Sequence, residues 1–148
     1  MATPEGAKSY LRTKVLTASS EELRLMLYDG AIKFARQAAQ ALEAQSYETS
    51  YNALVRAKKI VLELSSSLNH EAMPELCERL AALYVFIYQR LVDANVNRDA
   101  AAVADAVRLL EFERETWQML IKQLGDEQGD PGLSQAQQTA LSSLSTSA

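Results

Sequence analysis

Apolar residues recur along this chain at spacings of three and four, and no stretch alternates apolar and polar positions long enough to predict a strand. Four long segments carry the helical period. The first runs from about Ser20 to Glu43, with Ser19 as the expected N-cap and Glu22 at N3, the two partners of a capping box. Its core line is Leu23, Leu27, Gly30, Phe34, Ala38 and Ala41. The second spans about Tyr47 to Leu68, with Tyr51, Leu54, Val61, Leu64 and Leu68 facing inward and Lys58 and Lys59 toward solvent. The third follows the stretch NHEAMPEL, where Pro74 suits a first helical turn because its missing N–H has no intrahelical partner there. Leu76, Leu80, Leu83, Ile87, Leu91 and Ala94 make its seam. Asp99 caps a fourth helix with the seam Val103, Val107, Leu110, Trp117, Ile121 and Leu124, and Gly125 is its expected stop.

Connections of about three to six residues favour antiparallel neighbours. The expected fold is therefore all-α: an antiparallel up-down four-helix bundle over residues 19–125, an N-terminal arm or cap over 1–18, and a disordered tail over 126–148. In the arm, Tyr10, Leu11, Val15 and Leu16 are placed to dock over one end of the bundle. The tail is rich in Gly, Ser, Gln and Asp and too poor in large apolar groups to offset its ordering entropy.

Several large apolar residues fall outside the four seams. Tyr28 on the first helix, Val55 and Leu62 on the second, Tyr84, Val85, Phe86 and Tyr88 on the third, and Phe112 and Met119 on the fourth are surplus to a bundle core. Scattered hydrophobes of this kind widen a core or meet a second copy of the chain. At helical spacing they also suit a groove that takes an amphipathic or extended segment of another protein. Gly30, within a helix, costs about 1 kcal/mol against alanine, and close packing of a neighbouring group explains it better than a ligand does.

Composition narrows the function. A chain of 148 residues fits one domain and buries roughly 70% of its unfolded surface. The net charge of −4, with basic residues interleaved among acids, argues against a nucleic-acid footprint. No apolar run approaches the ~20 residues that cross a bilayer, so no membrane insertion is expected. Cys77, the one cysteine, excludes an internal disulfide, and no basic N-terminal segment leads into an apolar run, so the cytoplasm is the expected compartment. His70, the one histidine, falls in a turn rather than in the mid-helix position a phosphotransfer bundle needs, and Glu71 beside it does not make a Glu-x-x-His metal pair. No nucleophile–base pair, phosphate loop or second metal ligand set accompanies it. The chain is not expected to be an enzyme or to hold a cofactor or metal.

The segment YLRTKVLTASSEELRLMLYDGAI resembles the N-terminal signature of the flagellin-specific export chaperones, the FliS family: a tyrosine, a short spacer, Val-x-Thr-Ala-Ser, Glu-Glu-Leu, then Leu-Met-Leu-Tyr-Asp-Gly-Ala-Ile. The likeness continues through RAKKIVLELSSSLN, LYVFIYQRLVDANVNRD and VRLLEFERETW, covering about Tyr10 to Trp117. The resemblance implies a cytoplasmic helical bundle that binds the disordered C-terminal segment of flagellin, prevents its premature polymerisation and hands it to the flagellar type III export gate. It also implies that the arm around Tyr10, Val15 and Leu16 covers part of the docking surface until cargo arrives. Ser20 departs from the proline of many relatives, and Val85 and Gln89 replace polar or charged residues usual around that tyrosine motif. A phosphotransfer or signalling bundle and a self-associating homodimer are the alternative readings.

Overall fold

The computed structural model describes residues 4–69, 71 and 73–128, with side chains through Gln123. It is all-helical, with α1 Pro4–Thr17, α2 Ser20–Glu43, α3 Tyr47–Ser66, α4 Pro74–Asn97 and α5 Ala100–Gln128, and no strand among the described residues. The start signals in the sequence work as physical caps. Ser19 Oγ accepts the Glu22 N–H at 3.2 Å, and Asp99 Oδ1 accepts those of Ala101 and Ala102 at 2.9 and 3.3 Å. Pro74 occupies the first turn of α4. Helices α2 and α4 close on a left-handed residue other than glycine: Gln45 and Arg98 adopt φ of 58° and 53°. The next N–H in each case reaches back, Ser46 to the Ala41 carbonyl at 2.7 Å and Asp99 to that of Ala94 at 3.1 Å.

Two boundaries differ from expectation. Residues 4–17 form a full helix, none of whose residues is buried. Helix α5 continues through Gly125 to Gln128; one glycine costs a helix only about 1 kcal/mol, and no proline follows before Pro131. His70 and the tail from residue 129 lie outside the described residues.

The chain divides into two compact units. In the unit of Met1–Leu25 and Trp117–Ala148, the Trp117 indole N–H donates to the Glu21 carbonyl at 3.1 Å, and the Arg24 guanidinium lies 5.5 Å from the Trp117 ring centroid. Ser19 and Glu21 are buried there.

The unit Met26–Thr116 holds the main core. Its largest buried side chains are Tyr28, Tyr84, Leu54, Leu64, Ile87, Leu91 and Leu110. Between them run small residues: Ala31, Ala35 and Ala38 on α2, Ala53 and Ala57 on α3, Ala102 and Ala106 on α5. This corrects the expected seams. The buried line of α2 is Tyr28, Ala31, Ile32, Ala35, Ala38, Ala41 and Leu42; of the expected line Ala38 and Ala41 are buried, whereas Leu27, Gly30 and Phe34 are only half-buried and Leu23 is more exposed. On α3, Tyr51 is exposed while Ser50 is buried, its hydroxyl donating to the Tyr47 carbonyl at 3.0 Å. On α4, Leu76 is exposed and Cys77 is buried, its thiol 3.2 Å from the Asn69 carbonyl. Interaxial distance depends on the side chains at the contact, and alanine allows the close approach that excludes bulkier neighbours from the centre.

Gly30 illustrates that closeness. A Cβ there would lie 3.2 Å from Ile60 Cδ1. The contact is the tip of a flexible, half-buried side chain, so a small shift accommodates it. Gly30→Ala is expected to be mildly stabilising, by less than the full propensity gain of about 1 kcal/mol; thermal unfolding that shows marked destabilisation would mean the contact is rigid.

Ion pairs tie α2 to α5 through Asp29–Arg114 and Arg36–Glu111, and α4 to α5 through Arg90–Asp105. Asp105 accepts from Arg90 at 2.9 Å and from Arg108 at 2.8 Å. The Arg90 hydrogen bond is the chief reason its carboxyl sits below the usual carboxylate range, against a smaller opposing effect of desolvation. A depressed carboxylate stabilises the fold above its unfolded value, and that stabilisation disappears as pH falls through the folded one. Asp105→Asn is therefore expected to flatten the acid limb of the melting temperature against pH, an effect weakened by salt because the groups face solvent. An unchanged limb at low salt would show that the cluster contributes nothing.

Candidate functional site

Helix α3 packs on α4, and between them opens a groove of about 470 Å³. Val61, Leu62 and Ser65 line it from α3, and Tyr84, Val85, Tyr88, Gln89, Val92 and Asp93 from α4. Steps of three and four residues place each set on one helix face. Val61 and Tyr84 are fully buried and form the floor, whereas Leu62 and Val85 are 52% and 53% exposed and form apolar rims. At one margin Asp93 Oδ2 accepts from Arg90 at 3.4 Å.

The floor is pinned from below. Tyr84 and Tyr28 are 1% and 2% exposed, and their hydroxyls hydrogen-bond to each other. Both were expected on the docking surface; both are buried, Tyr28 in the core and Tyr84 where the core meets the floor of the groove. Two tyrosines that satisfy each other's hydroxyls can be buried without leaving a polar group unmatched, a pairing across 56 residues that periodicity does not reveal.

The groove gathers Leu62, Tyr84, Val85 and Tyr88 from the expected set, with Tyr88 half-buried. Val55, also half-buried, lies two turns before Leu62 on the same line of α3. Phe86 is 48% exposed on α4 but does not line the groove. Phe112 and Met119 are exposed on α5, and Tyr10, Val15 and Leu16 are exposed on α1. Val92 was missed, although it follows Tyr88 by one turn and Val85 by two.

A second pocket, of about 300 Å³, is formed by Tyr47, Glu48, Ser50 and Tyr51 of α3 with Ala94, Asn95 and Arg98 at the end of α4. The Arg98 guanidinium stacks 3.7 Å from the centroid of the Tyr47 ring.

An apolar trough with hydroxyl, amide and carboxylate groups at its edges can hold a peptide. It offers no paired nucleophile and base. Among the described residues no cluster of three or more His, Cys, Asp or Glu is placed to hold a metal ion. Nor is any helix among them long and apolar enough to cross a membrane.

Comparison with known proteins gives one consistent result. The family model described as "Flagellar protein FliS" matches residues 3–124. A flagellar secretion chaperone FliS of Bacillus subtilis strain 168 is 35% identical over 134 residues, covering 90% of this chain and 99% of that protein. Those of Salmonella typhimurium and Escherichia coli K12 are 31% and 28% identical over 125 and 122 residues, covering 81% and 79% of this chain and 93% and 90% of theirs.

Proposed function

The chain belongs to the FliS family, a chaperone and not an enzyme family, and from that premise we propose that its α3–α4 groove receives the C-terminal segment of flagellin. The observation that carries the reading is an apolar trough whose rims, Leu62 and Val85, stand more than half exposed over a floor already filled by the core. Burial of such surface yields about 25 cal/mol per Å², set against roughly 2–5 kcal/mol to order a disordered segment. The balance favours a complex that forms readily and releases its cargo. Held this way in the cytoplasm, the segment is withheld from polymerisation and passed to the flagellar export gate, the second partner in this reading. Within the same unit as the groove, exposed Phe86 and Phe112 are further candidates for partner contact, and in the other unit the exposed Tyr10, Val15, Leu16 and Met119 are candidates of their own.

The architecture proposed for this role is the antiparallel up-down four-helix bundle. In its support, the partners on α5 descend from Arg114 to Glu111 as those on α2 rise from Asp29 to Arg36.

Titration of a flagellin C-terminal peptide into the full chain should give saturable one-to-one binding with a negative heat-capacity change, the marker of apolar burial. Absence of heat and of complex in light scattering rejects the reading. A stable homodimer that the peptide does not dissociate would instead assign the apolar surface to a second copy.

A further inference from the structure

The pocket at Tyr47, Tyr51, Asn95 and Arg98 continues the seam of the α3–α4 groove and differs from it in chemistry. On α3 the line Ser65, Leu62, Lys58, Val55, Tyr51 and Glu48 steps by three and four, and on α4 Val85, Tyr88, Val92 and Asn95 does the same, with Arg98 following in the turn that closes the helix. The two pockets therefore lie on one face of each helix. Leu62 and Tyr51 are eleven positions apart, about 16 Å along the axis at 1.5 Å per residue. An extended peptide covers that span in about five residues.

Where the groove is apolar, the second pocket presents hydrogen-bond donors. Asn95 Nδ2 is buried and has no hydrogen-bond partner, which is costly for an amide unless something supplies an acceptor. The Arg98 guanidinium carbon lies 3.7 Å from the centroid of the Tyr47 ring, and none of the ion pairs among the described residues engages it. A guanidinium held against a ring still carries five N–H donors in the fork that matches a carboxylate. Its backbone is held by the left-handed turn that closes α4, so the group is presented from a fixed end. Glu48 lines the same pocket and opposes an anion, which keeps affinity for a lone carboxylate modest.

We propose that this pocket is a carboxylate subsite, in which Arg98 and Asn95 receive an acidic side chain or the chain end of the segment whose apolar residues occupy the groove. The peptide assignment rests on the flagellin reading; the carboxylate chemistry does not.

Two experiments on the full chain separate these. In the first, nitrogen-15 NMR follows the Asn95 side-chain amide and Arg98 Nε during titration with N-acetylglycine and, separately, with N-acetylglycinamide. Saturable shifts with the acid alone, lost in Arg98→Ala and strengthened in Glu48→Gln, are expected. Equal responses to both probes, none to either, or shifts that survive Arg98→Ala overturn the subsite. In the second, a flagellin C-terminal peptide is compared as free acid, as C-terminal amide, and with its acidic side chains converted to amides. Loss of about tenfold in affinity, the scale of a hydrogen bond to a charged group, is expected for one modified form. If the amide form loses it, the chain end is the occupant; if the other does, a side chain is. Full affinity in both modified forms overturns the peptide role. Failure of every form to bind removes the flagellin reading and leaves the probe titration to decide the site.

Discussion

Tyr84→Ala is expected to destabilise the chain by about 3–5 kcal/mol, the range for removing a large aromatic side chain from a packed core. The expectation comes from burial: Tyr84 is 1% exposed, beside other fully buried side chains such as Leu91 and Ile87. Tyr84→Phe keeps the ring and removes only its hydroxyl from the bond with Tyr28. It should cost about 1 kcal/mol, the typical net worth of one such hydrogen bond. The contrast between the two variants in urea unfolding separates packing from hydrogen bonding. If Tyr84→Ala unfolds like the native chain, the tyrosine belongs to a surface and the floor of the groove is misassigned.

The second large effect is on binding. Leu62→Asp combined with Val85→Asp places two carboxylates on the rims of the groove, where each must lose hydration as an apolar segment docks. Two such penalties, at the 2 kcal/mol or more typical of hot-spot losses, imply a loss of flagellin-peptide affinity approaching about 1,000-fold. Stability should change little, because both side chains are more than half exposed in the free chain. Phe86→Asp serves as the comparison, since Phe86 is similarly exposed on α4 but does not line the groove. A small effect there and a large one at the rims locates the cargo; the reverse order moves it to another face of α4.

These expectations draw on features the sequence displays unevenly. Helix starts were legible because a cap is local: Ser19 and Asp99 each satisfy N–H groups within three residues, and Pro74 needs no neighbour to open a helix. The buried face was less legible. Periodicity weighs Leu27, Phe34 and Leu76 above alanine, yet Ala31, Ala35, Ala57 and Ala106 are fully buried positions. Alanine ranks low in any hydrophobic pattern, and its value in close helix packing appears only when the partner helix is present. Tyr28 and Tyr84 show the same limit for polar groups, since each looks amphipathic until the other's hydroxyl is found. The groove was half visible. Leu62, Val85 and Tyr88 stood out as surplus to the seams, while the second pocket depends on the turn geometry of Arg98 and on a distant ring at Tyr47, which no spacing rule connects.

Methyl NMR of the full chain with and without a flagellin C-terminal peptide addresses the groove itself. The account predicts that the methyl groups of Leu62, Val85 and Val92 shift most and show intermolecular contacts to apolar residues of the peptide, while the buried methyls of Leu54 and Leu110 move little. Tight binding that leaves Leu62, Val85 and Val92 unperturbed, with contacts confined to other helices, would contradict it.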